Sequence, residues 1–156
     1  MKIPALLALA VFLLPQGGAQ TSSPVSAEDE AAIKKPAMNY IEGYYEGDGA
    51  RMESALHPDL VKRLISTGQN GQNGLETMSA MTLVQRTRAG GGKKIPKERQ
   101  QKDITILDRY NNVAVVRIVA SDWIDYLQEG KWNGEWKIIN VLWELKPKPP
   151  GNQQQK

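Results

Sequence analysis

Asp125 and Asn140 are the polar side chains whose type and placement suggest chemistry. Both lie in residues 122–145, DWIDYLQEGKWNGEWKIINVLWEL, among Trp, Ile and Leu. Desolvation disfavours the charged form of a carboxylate held among apolar groups, so Asp125 would become basic enough to act as a general base. The other reading of Asp125 is structural, as an acceptor bonded to Asn140, a backbone amide or His57. His57 is the one histidine of the chain, so any imidazole chemistry must use it. It precedes Pro58 at an expected helix end, where it faces a pocket mouth or bonds a neighbouring backbone group. Tyr40 and Tyr44 can pack their rings while turning a hydroxyl toward a ligand. Asp125 and His57 are thus the catalytic candidates. Tyr40, Tyr44, Trp123, Asp125, Asn140 and Trp136 are the candidates for ligand binding.

Other chemistries find little support. With no Cys and a single His, thiolate metal sites and disulfides are excluded and a zinc site has too few ligands. No metal or cofactor is expected. Gly90, Gly91 and Gly92 sit in a basic segment, residues 86–102, with seven Lys or Arg against Glu98. No strand leads into the glycines and no P-loop pattern follows, so a solvated basic loop is expected there rather than a nucleotide site. Aromatic residues are not interleaved with these charges, which argues against nucleic acid as a partner. A net charge of +3 argues neither way.

Elements that position the candidates can be read from spacing. Asn133-Gly134 is a strong two-residue hairpin signal between runs rich in aromatic and β-branched residues. Closing that hairpin directly pairs Leu127 with Asn140 and Asp125 with Leu142. On this register Trp123, Asp125, Leu127, Trp136, Ile138, Asn140 and Leu142 share a pocket face. Ile124, Tyr126, Ile139, Val141 and Trp143 share the opposite one. Asn111-Asn112 joins two further strands, 104–110 and 113–120. The second, VAVVRIVA, is apolar at nearly every position and should be covered on both faces. Helices supply one cover, and a second copy of the chain, paired through the sheet, supplies the other.

Upstream, Ser26 begins a capping box, and Ile33, Ala37, Tyr40, Ile41 and Tyr44 form a helical stripe interrupted by Pro36, where a kink or a frayed start is expected. Asp48 caps a short second helix, and residues 60–65 form a short strand. Residues 66–74, STGQNGQNG, read as a flexible loop. Ser79 caps a third helix that buries Met81, Val84 and Leu83 and stops at Gly90.

The ends differ in character. Lys2, an apolar run over residues 3–14 and small residues at Gly17 and Ala19 have the form of a signal peptide at 1–19. The run is too short for a membrane-spanning helix, which needs about twenty residues. A linker at 20–27, a domain at 28–147 and a disordered tail at 148–156 complete the expected organisation. A periplasmic or secreted location follows, with no stable membrane anchor after cleavage.

Three blocks, NYIEGYYEGDGARMESALHPDLVKR, IPKER and DWIDYLQEGKWNGEWKIINVLWELKP, resemble the nuclear transport factor 2-like superfamily, and within it the bacterial branch called "putative lumazine-binding". The resemblance implies an α+β fold, a cone of three N-terminal helices on a curved antiparallel sheet, and a homodimer formed through that sheet. In the families it resembles, the Trp after the hairpin glycine packs inward; Trp136 holds that position here. Fold-level likeness carries little about activity. The expected function is an exported protein that binds a small organic ligand without turnover; the alternative is a cofactor-free isomerase or lyase using Asp125 as base.

Overall fold

The computed structural model describes residues 26–147. The expected leader at 1–19, residues 20–25 of the linker and the tail at 148–156 lie outside the described residues. Ser26 caps helix α1 (Ala27–Glu46), its hydroxyl accepting from the Asp29 amide at 3.0 Å. Glu28, Asp29 and Glu30 stand at the positive end of the helix, where acidic side chains are favoured. The helix runs through Pro36 without a break and is not frayed before it. Burial of Ile33, Pro36, Ala37, Tyr40 and Ile41 along one stripe supplies the packing that offsets the missing backbone donor.

Asp48 accepts from the Ala50 and Arg51 amides and caps α2 (Gly49–Ala55). Ser79 caps α3 (Ala80–Arg88) by accepting from Thr82. This helix buries Ala80, Leu83, Val84 and Thr87, the i, i+3, i+4, i+7 stripe. Met81 lies beside that stripe and is 64% exposed, contrary to the expected burial.

Six strands form one sheet in the order β2-β1-β6-β5-β4-β3. They are β1 (Leu56–Thr67), β2 (Asn73–Ser79), β3 (Lys102–Tyr110), β4 (Val113–Ala120), β5 (Trp123–Trp132) and β6 (Glu135–Leu145). Neighbours are antiparallel except β1 and β6, which run parallel. β1 is twice the length expected, and β2 occupies part of the expected loop and continues to Ser79. β2 is polar and almost wholly exposed, so no apolar alternation marks it. Irregularities in β1, β3 and across β5/β6 interrupt the ladders, and such bulges bend a sheet and increase its twist. Helix α1 lies across the concave side, with α2 and α3 beside it. Among the described residues, no helix is long and apolar enough to cross a membrane.

The β5–β6 hairpin closes as expected, with Asn133 at φ 50° and Gly134 at φ 87°. Its register then changes. Trp132 pairs with Glu135 and Glu129 with Ile138, but Gln128 pairs with Asn140, leaving Ile139 as the extra residue of a bulge. Beyond the bulge every side chain of β6 lies on the face opposite to the one expected. Asp125 pairs with Trp143, and Leu127 with Val141. Val141 and Trp143 therefore join Asp125 on the concave face, while Asn140 and Leu142 move to the convex face.

Candidate functional site

Asp125 is completely buried at the centre of the concave face. Trp123, two residues earlier on β5 and hence on the same face, donates its indole N–H to Asp125 Oδ2 at 2.6 Å. The Tyr40 hydroxyl reaches down from α1 and donates to the same oxygen at 3.2 Å. Lys62 on β1 donates to Oδ1 at 2.8 Å and also to the Tyr40 hydroxyl. One carboxylate thus accepts three hydrogen bonds, one of them from a buried cation.

Lys62 is the member of this group that sequence reasoning missed. It is 6% exposed, and its ammonium lies 4.5 Å from the centre of the Trp143 ring and 5.1 Å from that of Tyr40. The signal was present, because Lys62 falls in phase with Leu60 and Leu64 on one face of β1. A lysine on the apolar face of a strand needs a buried partner. Burial lowers the Lys62 pKa, with the Asp125 charge opposing it. Burial and then the Asp125 charge raise the Tyr40 phenol well above its ordinary value.

A cavity of about 270 Å³ opens over this group, bounded by α1, α3 and the sheet. Tyr44 and Trp123 meet edge to face at 5.5 Å along one wall, and Trp143 forms part of the lining. Met78, Leu83 and Ile95 add apolar surface, and Arg86 and Asp122 also border the cavity. Partial burial raises the Tyr44 phenol as well. The glycine run has a steric role here: a Cβ on Gly92 would lie 2.4 Å from the Tyr44 carbonyl oxygen. The basic loop can therefore lie directly on the Tyr44 end of α1. Among the described residues, no group of three His, Cys, Asp or Glu could hold a metal ion.

Of the candidate residues, the structure brings Tyr40, Tyr44, Trp123 and Asp125 together. Asn140 is displaced to the convex face by the bulge and borders a separate pocket of about 350 Å³ with Tyr110, Val113 and Ile139. Trp136 packs inward but near the hairpin turn, outside the cavity lining. His57 is not at the cavity either. Its ring stands edge to face with Trp132 at 4.8 Å, and its Nδ1 accepts from the Asp59 amide.

A second buried carboxyl, Glu129, shares the Asp125 face four residues along β5. It is 2% exposed, and neither oxygen has a hydrogen-bond partner. Burial raises its pKa to about 8.

Residues 28–144 match the family described as "Putative lumazine-binding". The chain belongs to this family. Among solved structures, the chain is similar to an NTF2-like protein of unknown function from Methylobacillus flagellatus, at 22% identity and a TM-score of 0.62, covering 81% of this chain and 98% of that one. A similar protein from Shewanella baltica, at 16% identity, has a TM-score of 0.61 and coverage of 83% and 100%. A ketosteroid isomerase-like protein from Erwinia carotovora aligns at 12% identity and a TM-score of 0.51, covering 79% and 100%. These likenesses establish the NTF2-like fold. A curated relative, tRNA (guanine(37)-N(1))-methyltransferase 2 of Arabidopsis thaliana, is 30% identical over 123 residues, which span 72% of this chain and 19% of that protein.

Proposed function

We propose that this lumazine-binding family member is an exported protein that holds a flat, conjugated organic molecule in the cavity above Lys62 and does not turn it over. The observation that carries this reading is the enclosure of Asp125, which is completely buried and lies outside the cavity lining. Its carboxylate already accepts from Trp123, Tyr40 and Lys62, and a general base must instead reach a substrate proton. Aromatic and apolar walls around a few placed polar groups are the usual lining of a small-molecule site. The family description supports a lumazine-like ligand.

Native mass spectrometry of protein isolated from its own source should show a retained small molecule. Lumazine added to stripped protein should bind saturably, quench tryptophan fluorescence and be recovered unchanged. Recovery of a converted product would establish the isomerase or lyase alternative, and an empty protein that does not bind lumazine would count against the ligand assignment. N-terminal sequencing of the mature protein should begin at Gln20; a secreted form retaining Met1 would sink the cleavage proposal.

Pairing of two copies through the convex face is part of the same proposal. Val113, Tyr126 and Leu142 are 46–56% exposed there, in positions a partner sheet would cover. Trp143 does not belong to that face, so an interface test belongs on Tyr126. Light scattering at micromolar concentration should give a dimer for the wild type and a monomer for Tyr126→Glu, because burying an unpaired charge costs several kcal/mol.

A further inference from the structure

We infer that the cavity above Lys62 selects an organic anion, a planar molecule with acceptor oxygens toward both the floor and the mouth. This rests on the reading of the cavity as a ligand site and concerns which ligands it takes. The hydrogen-bonding groups that the lining leaves free decide the selection. An ammonium carries three N–H donors. Lys62 spends one on Asp125 Oδ1 and one on the Tyr40 hydroxyl, so one remains. Tyr40 donates to Asp125 and accepts from Lys62, and the Trp123 indole N–H is spent on Asp125. At the mouth, Arg86 has no carboxylate within 4 Å and no side-chain hydrogen bond among the described residues. The Tyr44 hydroxyl is likewise unbonded among the described residues.

Free acceptors are confined to the exposed rim. Asp125 lies beneath Lys62, its charge matched by the ammonium. Asp122, the one carboxylate of the lining, is paired with Arg99 at 3.4 Å. The polar groups left inside the rim are therefore the third N–H of an ion-paired ammonium at the floor, an unpaired guanidinium at the mouth and a phenol between aromatic walls. An ammonium ligand would meet the Arg86 charge and find no enclosed acceptor, and an alcohol would leave Arg86 uncompensated. A carboxylate or heteroaryl oxyanion meets both cations. Hydrogen bonds to charged groups are among the stronger ones, and a preference of roughly ten- to a hundredfold for an anion over a neutral isostere follows.

The test uses the full chain and three probes sharing one ring system: 2-naphthoate, 2-naphthalenemethanol and 2-naphthylmethylamine. Calorimetry and the indole N–H resonances of the tryptophans report binding. Naphthoate should bind at least tenfold more tightly than the alcohol, and the ammonium probe should bind weakest. Lys62→Met alone strands Asp125 and risks unfolding, so the floor is tested with Lys62→Met/Asp125→Leu, which should lower naphthoate affinity about tenfold. The exposed mouth is tested with Arg86→Gln, which should weaken naphthoate roughly three- to tenfold and leave the alcohol unchanged. Equal affinity for acid and alcohol, a preference for the ammonium probe, or an Arg86→Gln variant that weakens acid and alcohol alike overturns the anion selection while leaving the ligand site standing. If none of the probes binds or moves an indole resonance at millimolar concentration, the ligand site itself falls and the selection with it.

Discussion

Asp125 and Glu129 occupy the same face of the same strand, are almost equally hidden from water, and meet opposite surroundings. Asp125 receives three donors, including a cation that is itself buried. Glu129 receives none, and its pKa rises to about 8 through burial alone. The same β5 pattern thus yields a compensated carboxylate beneath the cavity and an uncompensated carboxyl near the hairpin end. Burial does not decide what an acidic side chain becomes; the groups brought to it by other elements decide. For Asp125 these come from α1 and β1, some sixty to ninety residues earlier in the chain.

The largest expected effect comes from removing the uncompensated group. An acid whose folded pKa is raised binds more protons when folded, so stability falls as pH rises from about 4.5 to about 8 and is flat above that. At about 1.4 kcal/mol per unit, the fall is at most about 4–5 kcal/mol. Glu129→Gln should abolish this slope and make the variant more stable than the wild type at pH 9. Urea titrations at pH 5, 7 and 9 measure it, and parallel slopes for the two proteins would erase the contrast with Asp125.

Breaking the compensated pair comes next. Lys62→Met should lower stability by about 3–5 kcal/mol, the cost of stranding a buried charge. Lys62→Met/Asp125→Leu should recover most of that loss, since an apolar replacement of a buried pair is often neutral. If the double variant is no better than the single, the pair stabilises the fold in its own right. Asp125→Asn keeps an acceptor for the Trp123 and Tyr40 donors and strands Lys62, which unlike Asp125 borders the cavity and can be hydrated there, so it should cost less, about 1–3 kcal/mol. Chemical denaturation ranks the variants, and an Asp125→Asn loss larger than that of Lys62→Met would reverse the assignment of which partner depends on which.

The smallest effect is expected at Asn140. Standing on the convex face, it should change stability by less than about 0.5 kcal/mol when replaced by Ala and leave naphthoate affinity unchanged. A loss of ligand affinity in Asn140→Ala would place it back with Asp125.

Much of the frame was legible in the sequence because it depends on neighbours. Ser26, Asp48 and Ser79 cap the helices they were expected to cap, and Asn133-Gly134 turns the hairpin. Tyr40, Tyr44, Trp123 and Asp125 were found because helical and strand periodicities placed each on an inward face. Asn140 and Trp143 were exchanged between faces because alternation assumes an uninterrupted ladder, and nothing in KIINV announces an extra residue. β2 was missed because a polar edge strand has no apolar pattern. Lys62 and Glu129 were overlooked although alternation places both among inward positions, beside Leu60 and Leu127. Charged residues at such positions are the informative exceptions.

The Ile139 bulge has an evolutionary implication. It acts as a phase buffer: one extra residue in β6 is absorbed without a partner, and the strand on either side keeps consecutive pairing with β5. Deleting Ile139 would leave an uninterrupted ladder with Val141 and Trp143 still on the inner surface, whereas flattening the bulge with every residue retained would put Asn140 and Leu142 there. A change of strand length is thus tolerated at this single position without disturbing the cavity wall, while the same change elsewhere in β6 would exchange the inner and outer residues beyond it.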